Sequence, residues 1–302
     1  GVLSAGMTTS HGIGLQVTLD ADGELTSSYQ GQSSRAKLPE VPECVSRAVH
    51  WAQVTQNPLR LDSEAHDAPV LLTSEGFSPL FSMVVPPAMT GEKMVRKESF
   101  WSERMNEQVI NPSLSIRDNG VLEGGMSSGS RDAEGVPRRQ QTLVEDGRLT
   151  NMLWSTRDSA QQVAEGRIDA AQSTGSASSG GHQSPPSTGC TELFLTSSDA
   201  PQTREQMLEN MGDGYVVNSV MGAHTANPSS GDFSVTTSSI LKVEGGEIVG
   251  ALKQAGLSGN LAKALNGAVV LGRDVRRQGS YSSGSMHLPD VLLMDGLRIN
   301  PA

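Results

Sequence analysis

The stretch Val220-Met221-Gly222-Ala223-His224-Thr225-Ala226-Asn227-Pro228-Ser229-Ser230-Gly231-Asp232-Phe233-Ser234-Val235 carries more of the reading than any other part of the chain. A strand-like lead-in, Tyr215-Val216-Val217-Asn218-Ser219-Val220-Met221, runs into it. Gly222, Asn227-Pro228 and Gly231-Asp232 then punctuate the backbone in quick succession. Asn-Pro and Ser-Gly steps set turns, and glycine permits positive φ or a close backbone approach. The result is a shaped polar loop carrying one His and one Asp, not a core element. Downstream, Ser239-Ile240-Leu241-Lys242-Val243-Glu244 and Glu247-Ile248-Val249 flank Gly245-Gly246, which is a two-residue hairpin signal.

Composition bounds the rest. At 302 residues, one or two domains with a substantial core are expected. Aromatics are few, and Gly, Ser and Thr abound, which suits a strand-rich or mixed fold better than a helical bundle. The formal charge of −10 repels phosphate backbones and leaves no footprint for nucleic acid. No stretch reaches the ~18 continuous apolar residues of a membrane helix, and no basic-then-apolar leader opens the chain. A cytoplasmic protein without nucleic-acid or membrane partners is expected. Cys44 and Cys190, far apart, make no disulfide framework.

In chain order, residues 1–36 read as strands turning at Asp20-Ala21-Asp22-Gly23. Residues 40–56 read as a helix with Pro39 and Pro42 at its start and Val41, Val45, Ala48, Val49 and Ala52 near helical spacing. Residues 68–73 suit a short buried strand. Residues 77–88 are apolar, and Pro86-Pro87 is expected to break any helix there. The charged run 91–110, with Phe100 and Trp101, suggests an exposed helix or lid. A strand over 112–117 and a loop over 120–129 follow. Residues 141–154 read as a hairpin turning at Asp146-Gly147. A helix is expected over 158–168. The Ser/Gly/Pro-rich text of 173–188 reads as a mobile loop. A strand over 192–195, a helix over 202–211, a last helix over 261–267 behind Gly259-Asn260, and strands over 291–294 and 297–299 complete the pass.

For chemistry, His224, Asp232 and Ser234 invite a hydrolase reading, but a triad is a matter of geometry and no nucleophile elbow is present. The structural alternative has Asn227 and Asp232 bonding local amides and fixing the loop. A third reading has the loop lining a peptide groove. His50, His66, His182 and His287 are scattered, and no two share a helix face. Glu64-Ala65-His66-Asp67 reads as a solvated turn, and Cys190 as a small packed residue.

One family gathers these pieces. Gly222-x-His224-Thr225-x-Asn227-x-x-Ser230-Gly231-Asp232-Phe233-Ser234, then Glu244-Gly245-Gly246-Glu247-Ile248, then Leu257-Ser258-Gly259-Asn260-Leu261, resembles the C-terminal signature of the TldD/PmbA proteins, and within them the PmbA (TldE) branch. Upstream, Glu134-Gly135-Val136-Pro137 with Val144-Glu145-Asp146-Gly147, and Ser173-Thr174-Gly175, extend the resemblance. It covers 68–302 and, more weakly, 8–56. The resemblance implies an α+β fold: a mainly antiparallel, strongly curved C-terminal domain with flanking helices over 68–302, and the remainder of an N-terminal α/β domain over 1–67. Family members carry a further N-terminal segment, so the opening at Gly1 is expected to lack one.

In the TldD branch a helix carries HExxxH, whose His side chains bind zinc while the Glu acts as general base. The window matched to it here, Ser82-Met83-Val84-Val85-Pro86-Pro87, has no ligand. A late Cys looks like the third ligand in that branch, and Gly279-Ser280-Tyr281-Ser282-Ser283-Gly284-Ser285 has none. The resemblance therefore implies a subunit without its own cofactor or catalytic residues. It would pair with a zinc-bearing TldD-like subunit in a metalloprotease acting on unfolded peptides. His224, Thr225, Asn227, Gly231, Asp232 and Phe233 are its substrate-binding or interface candidates. A metal-independent hydrolase using His224 and Asp232, and a non-catalytic peptide-binding homodimer, stand as alternatives.

Overall fold

The computed structural model describes residues 7–21, 24–35, 40–59, 66–179, 181, 183–279 and 284–301. Gly1, Asp22, Gly23, Pro39, Glu64, Ala65, His182, Ser280, Tyr281, Ser282 and Ser283, which the sequence reading used, lie outside the described residues.

The chain opens with β1 (His11–Ala21) and β2 (Glu24–Ser34), a hairpin backed by α1 (Val41–Val54). Short strands β3 (His66–Asp67) and β4 (Val70–Leu72) lead into α2 (Ser74–Ala88) and α3 (Gly91–Val95). Then come β5 (Leu114–Asn119), β6 (Gln140–Glu145), β7 (Arg148–Leu149) and α4 (Thr156–Ala164). β8 (Ala177–Ser178), β9 (Ser187–Thr188) and β10 (Glu192–Ser197) precede α5 (Arg204–Met211). The long strands β11 (Gly214–Met221) and β12 (Asp232–Glu244) are followed by β13 (Glu247–Leu252), β14 (Ala255–Asn260) and α6 (Leu261–Asn266). β15 (Val269–Leu271), β16 (Arg276–Gly279), β17 (Ser285–Leu288), β18 (Val291–Leu293) and β19 (Leu297–Pro301) close the fold.

Nine strands form one strongly curled half-barrel in the order β15-β18-β4-β11-β12-β14-β19-β3, with β13 also on β12. A second sheet runs β16-β17-β10-β5-β6-β7. Pairing is antiparallel except for β4 with β11 and β10 with β17. The expected mainly antiparallel, strongly curved mixed fold is therefore what the chain adopts.

The half-barrel is apolar on both faces. Val70 and Leu72 enter the main core with α2, while Leu71 faces a second cluster with Trp51 of α1 and Met207, Leu208 and Met211 of α5. Side chains alternate across a strand, so covering both faces makes even a three-residue strand continuously hydrophobic. Fork-like pairing marks β12. One edge pairs with β11 over Thr236 to Val243, whereas the other pairs with β14 over Asp232 to Thr237 and with β13 over Ile240 to Glu244. Gly245 and Gly246 turn with φ of 57° and 83°, and Asp146 and Gly147 with 47° and 77°, as two-residue hairpins of this hand require.

Helix α2 lies at the centre, with Phe77, Leu80, Phe81, Val84, Val85 and Ala88 fully buried. It contains Pro79, Pro86 and Pro87, contrary to the expectation that the last two would break it. Each proline removes one helical N–H bond, at about 3 kcal/mol in an ordinary helix interior. Burial returns about 2 kcal/mol per large apolar side chain. Moreover, Pro86 and Pro87 sit in the last turn, where their carbonyls accept from Met89 and Thr90. The helix reaches β11 at residue 76, where a Cβ would stand 2.5 Å from the Val217 carbonyl oxygen. That same oxygen accepts the Thr73 N–H at 3.0 Å.

Four further expectations are corrected. Phe100 and Trp101 are no lid: Trp101 is 1% exposed and belongs to the main core. The two ends of the segment 173–188 are anchored: Thr174 Oγ1 accepts the Trp154 N–H at 2.8 Å, Gln141 donates to Ser176 Oγ at 3.1 Å, and β8 pairs with β9. On α1, Cys44, Ala48, Trp51 and Ala52 face inward while Val41 and Val45 are exposed. His66 and Asp67 are not a solvated turn but strand β3, with His66 Nε2 3.0 Å from the Tyr215 hydroxyl.

Two outcomes test this description. Gly76→Ala is expected to destabilise the protein by about 2 kcal/mol through overpacking against Val217, read as a lowered urea midpoint; an unchanged midpoint refutes the close approach. Asp118 on β5 is 1% exposed and accepts from the Thr191 N–H and hydroxyl at 2.7 Å each and from the Glu192 N–H at 3.0 Å. Burial pushes its carboxyl up despite those bonds. Its contribution is therefore full below the ordinary value of 3.8 and erodes as pH rises through its folded value. Asp118→Asn should be less stable than wild type, with a gap that narrows on raising the pH; a gap that widens contradicts the assignment.

Candidate functional site

A cleft of about 780 Å³ separates the hairpin from the half-barrel. Residues 25–31 of β2 form one wall. The end of β11 (218–221), Ser238 and Ser239 at the fork of β12, and residues 252–254 form the other. Its floor is the first turns of α2, through Glu75, Ser78 and Pro79, with Gln278 and Gly279 of β16 beside them.

Local rules put these groups there. Thr73 caps α2 by accepting the Gly76 N–H, and its hydroxyl donates to Asn218 Oδ1 at 2.9 Å. Asn218 sits where the register of β11 shifts against β12. The Ser74 N–H, unpaired within the helix, donates to Asp290 Oδ1 at 2.9 Å, and Arg204 holds the other Asp290 oxygen at 2.5 Å. Ser74 Oγ in turn donates to Glu75 Oε2 at 3.1 Å and accepts from Gln278 Nε2 at 3.3 Å.

Glu75 is the carboxylate of this floor, and it meets Arg47 of α1 at 2.5 Å, with side chains 21% and 17% exposed. Burial alone would push the Glu75 carboxyl up. The Arg47 guanidinium, the helix backbone, Arg276 and the Ser74 hydroxyl outweigh it and hold the group below the usual glutamate range. Arg47 Nε also donates to Gln30 Oε1 at 3.3 Å, and Arg276 pairs with Glu43 at 2.8 Å. Gln30 Nε2 on the hairpin wall and Ser239 Oγ on the barrel wall are buried without a hydrogen-bond partner among the described residues.

The residues singled out in the sequence lie elsewhere. His224 is on a 3-10 turn beyond the end of β11, exposed, and outside the cleft lining. Asn227 and Asp232 fix their own loop. Asn227 accepts the Ser229 N–H and donates its own N–H to the Asp232 carbonyl at 2.8 Å. Asp232 accepts from Ser230 Oγ at 2.6 Å and Asn260 Nδ2 at 2.7 Å, which hold its carboxyl below the usual range. Neither bond reaches His224, so the loop holds no hydrogen-bonded triad. Thr225 bonds back to the Gly222 carbonyl at 2.8 Å, and Gly231 and Phe233 are buried.

The window matched to the metal motif in the sequence, residues 82–87, lies in the second half of α2. Ser82, Val84 and Val85 are fully buried in the core and face no cleft. The residues of α2 that do face the cleft are Glu75, Ser78 and Pro79. A serine hydroxyl and a proline are not ordinary zinc ligands, and the one carboxylate is held by a guanidinium. Among the described residues no three His, Cys, Asp or Glu side chains come together to hold a metal. The described residues of this cleft do not fit zinc. Arg47, Glu75 and Gln30 were missed in the sequence; the signal for Glu75 was a Thr cap and a glycine on either side of a Glu at a helix start.

Comparison with known proteins closes the case for ancestry. The chain is 28% identical over 293 residues to the metalloprotease PmbA of Escherichia coli O157:H7, covering 96% of this chain and 60% of that protein. It is 24% identical over 268 residues to a metalloprotease TldD homolog of Haemophilus influenzae, covering 86% of this chain and 54% of that one. The crystal structure of TldE from Thermococcus kodakarensis superposes with a TM-score of 0.83 at 21% identity, covering 96% of this chain and 63% of that one. The chain thus spans less than two thirds of the length of each. Residues 65–299 match the family model for the PmbA/TldA metallopeptidase C-terminal domain, and the chain belongs to the PmbA/TldD family of metallopeptidases.

Proposed function

We propose that this chain is a PmbA/TldE-type subunit that works beside a zinc-bearing TldD-type subunit in a cytoplasmic metallopeptidase acting on unfolded peptides. The observation that carries the reading is the cleft-facing end of α2, where Glu75, Ser78 and Pro79 make no ordinary zinc-ligand set and Glu75 is bound to Arg47. In this reading the chain contributes assembly and a wall that holds an extended peptide through main-chain hydrogen bonds. Its own cofactor is none, and zinc resides in the partner. Residues 1–67 are the remainder of an N-terminal α/β domain and 68–302 the C-terminal domain. Of the loop candidates, exposed His224, Thr225, Asn227 and Asp232 face the partner subunit, and buried Gly231 and Phe233 support them.

The test is to express the chain alone and with a TldD-type subunit bearing an intact HExxxH. Stable co-purification is expected, with zinc confined to the partner and cleavage of unfolded peptide only by the pair. Zinc-dependent cleavage by the isolated chain overturns the reading. Chelator-resistant cleavage that disappears in His224→Ala replaces it with a metal-free hydrolase.

A further inference from the structure

The hairpin and α1 form a separate jaw over the cleft, and charge attaches the jaw on the cleft side. α1 itself docks through Trp51 on the outer face of the half-barrel. The cleft-facing attachments are different in kind. Arg47 of α1 meets Glu75 of α2 at 2.5 Å, and Glu43 of α1 meets Arg276 of β16 at 2.8 Å. At the far end, Arg35 donates to the carbonyls of Gly125 and Ser128 at 3.0 Å each.

We infer that Arg47 is the resident cation of this cleft: it neutralises the carboxylate that α2 turns toward the opening, and it latches the jaw shut without a metal. The inference rests on the subunit reading above and deepens it. Glu75 is a partly buried carboxylate, and such a group needs a counter-charge beside it. Here a side chain from another element supplies the positive charge, so the same face can carry a permanent structural tie. Ser74 completes the tie from the helix, and Gln30, bonded to Arg47, extends it to β2. Arg47 and Glu75 are positioning residues: they set where Gln30 Nε2 on the jaw, without a partner among the described residues, stands relative to Ser239 Oγ on the barrel, likewise without one.

Hydrogen exchange on the full chain tests this, together with zinc content after incubation with zinc sulfate and dialysis. The wild type should retain no stoichiometric zinc. In Arg47→Met and Glu75→Gln, amides of β2 and the first turn of α1 should exchange at least tenfold faster, while those of β4 and β11 stay unchanged. The exchanged pair R47E/E75R should recover part of the protection. If the single variants do not fold, the wild type in molar salt serves instead, because screening should accelerate the same hairpin amides selectively. Stoichiometric zinc lost in Glu75→Gln, or hairpin exchange indifferent to both variants and to salt, overturns the inference. Failure to pair with a TldD-type subunit would overturn the subunit reading alone and leave the latch intact.

Discussion

The approach of α2 to β11 is the constraint on which the rest depends. Helix α2 is buried on nearly all sides within the curled sheet, and at residue 76 its backbone comes close to one strand. The contact carries two consequences. It pins the helix start beside the end of β11, so Glu75 opens toward the cleft with Ser74 buried beside it, while the following turns fill the core. It also lets one carbonyl, that of Val217, accept the Thr73 N–H while seating the bare Cα of the glycine. The six-stranded sheet, α3 and α6 then close around the apolar remainder of the helix.

Polar groups at the helix start follow from that placement. Four N–H groups at a helix N-terminus lack partners, and water is partly excluded here. Thr73 and Asp290 satisfy two of them, and Arg204 balances the Asp290 charge from the opposite face of the sheet. Glu75 therefore stands in a neighbourhood already rich in fixed charges and dipoles. Its pairing with Arg47 keeps the local sum near neutral, which a partly buried carboxylate requires.

Local chemistry in the sequence was a good guide where the local term is decisive. Asp146-Gly147 and Gly245-Gly246 demand positive φ and made their hairpins; Asn260 capped α6 by accepting the Lys263 N–H. Reading failed where tertiary burial outweighs local preference. α2 runs through three prolines because its apolar side chains have nowhere better to go. Trp101 looked surface-bound inside a charged run, yet it fills the core. The hydroxyls of Thr174 and Ser176 looked like linker but bond a buried backbone and a buried amide. The loop of Asn227 and Asp232 was legible as a self-fixing turn. The cleft was not, because Arg47, Glu75, Ser239 and Gln278 come from four elements, and no spacing along the chain brings them together.

The division of β12 between two neighbours has a further meaning. Where β14 leaves and β13 begins, the Thr237 hydroxyl exchanges bonds with the Ala255 backbone at 3.0 and 3.1 Å, and Ser238 and Ser239 are left on an unfilled edge. The mouth of the cleft is thus drawn by backbone connectivity, whereas its lining is mostly short, interchangeable side chains. Such an arrangement separates shape from chemistry: relatives can rewrite what the opening recognises, residue by residue, without renegotiating the frame that holds it open.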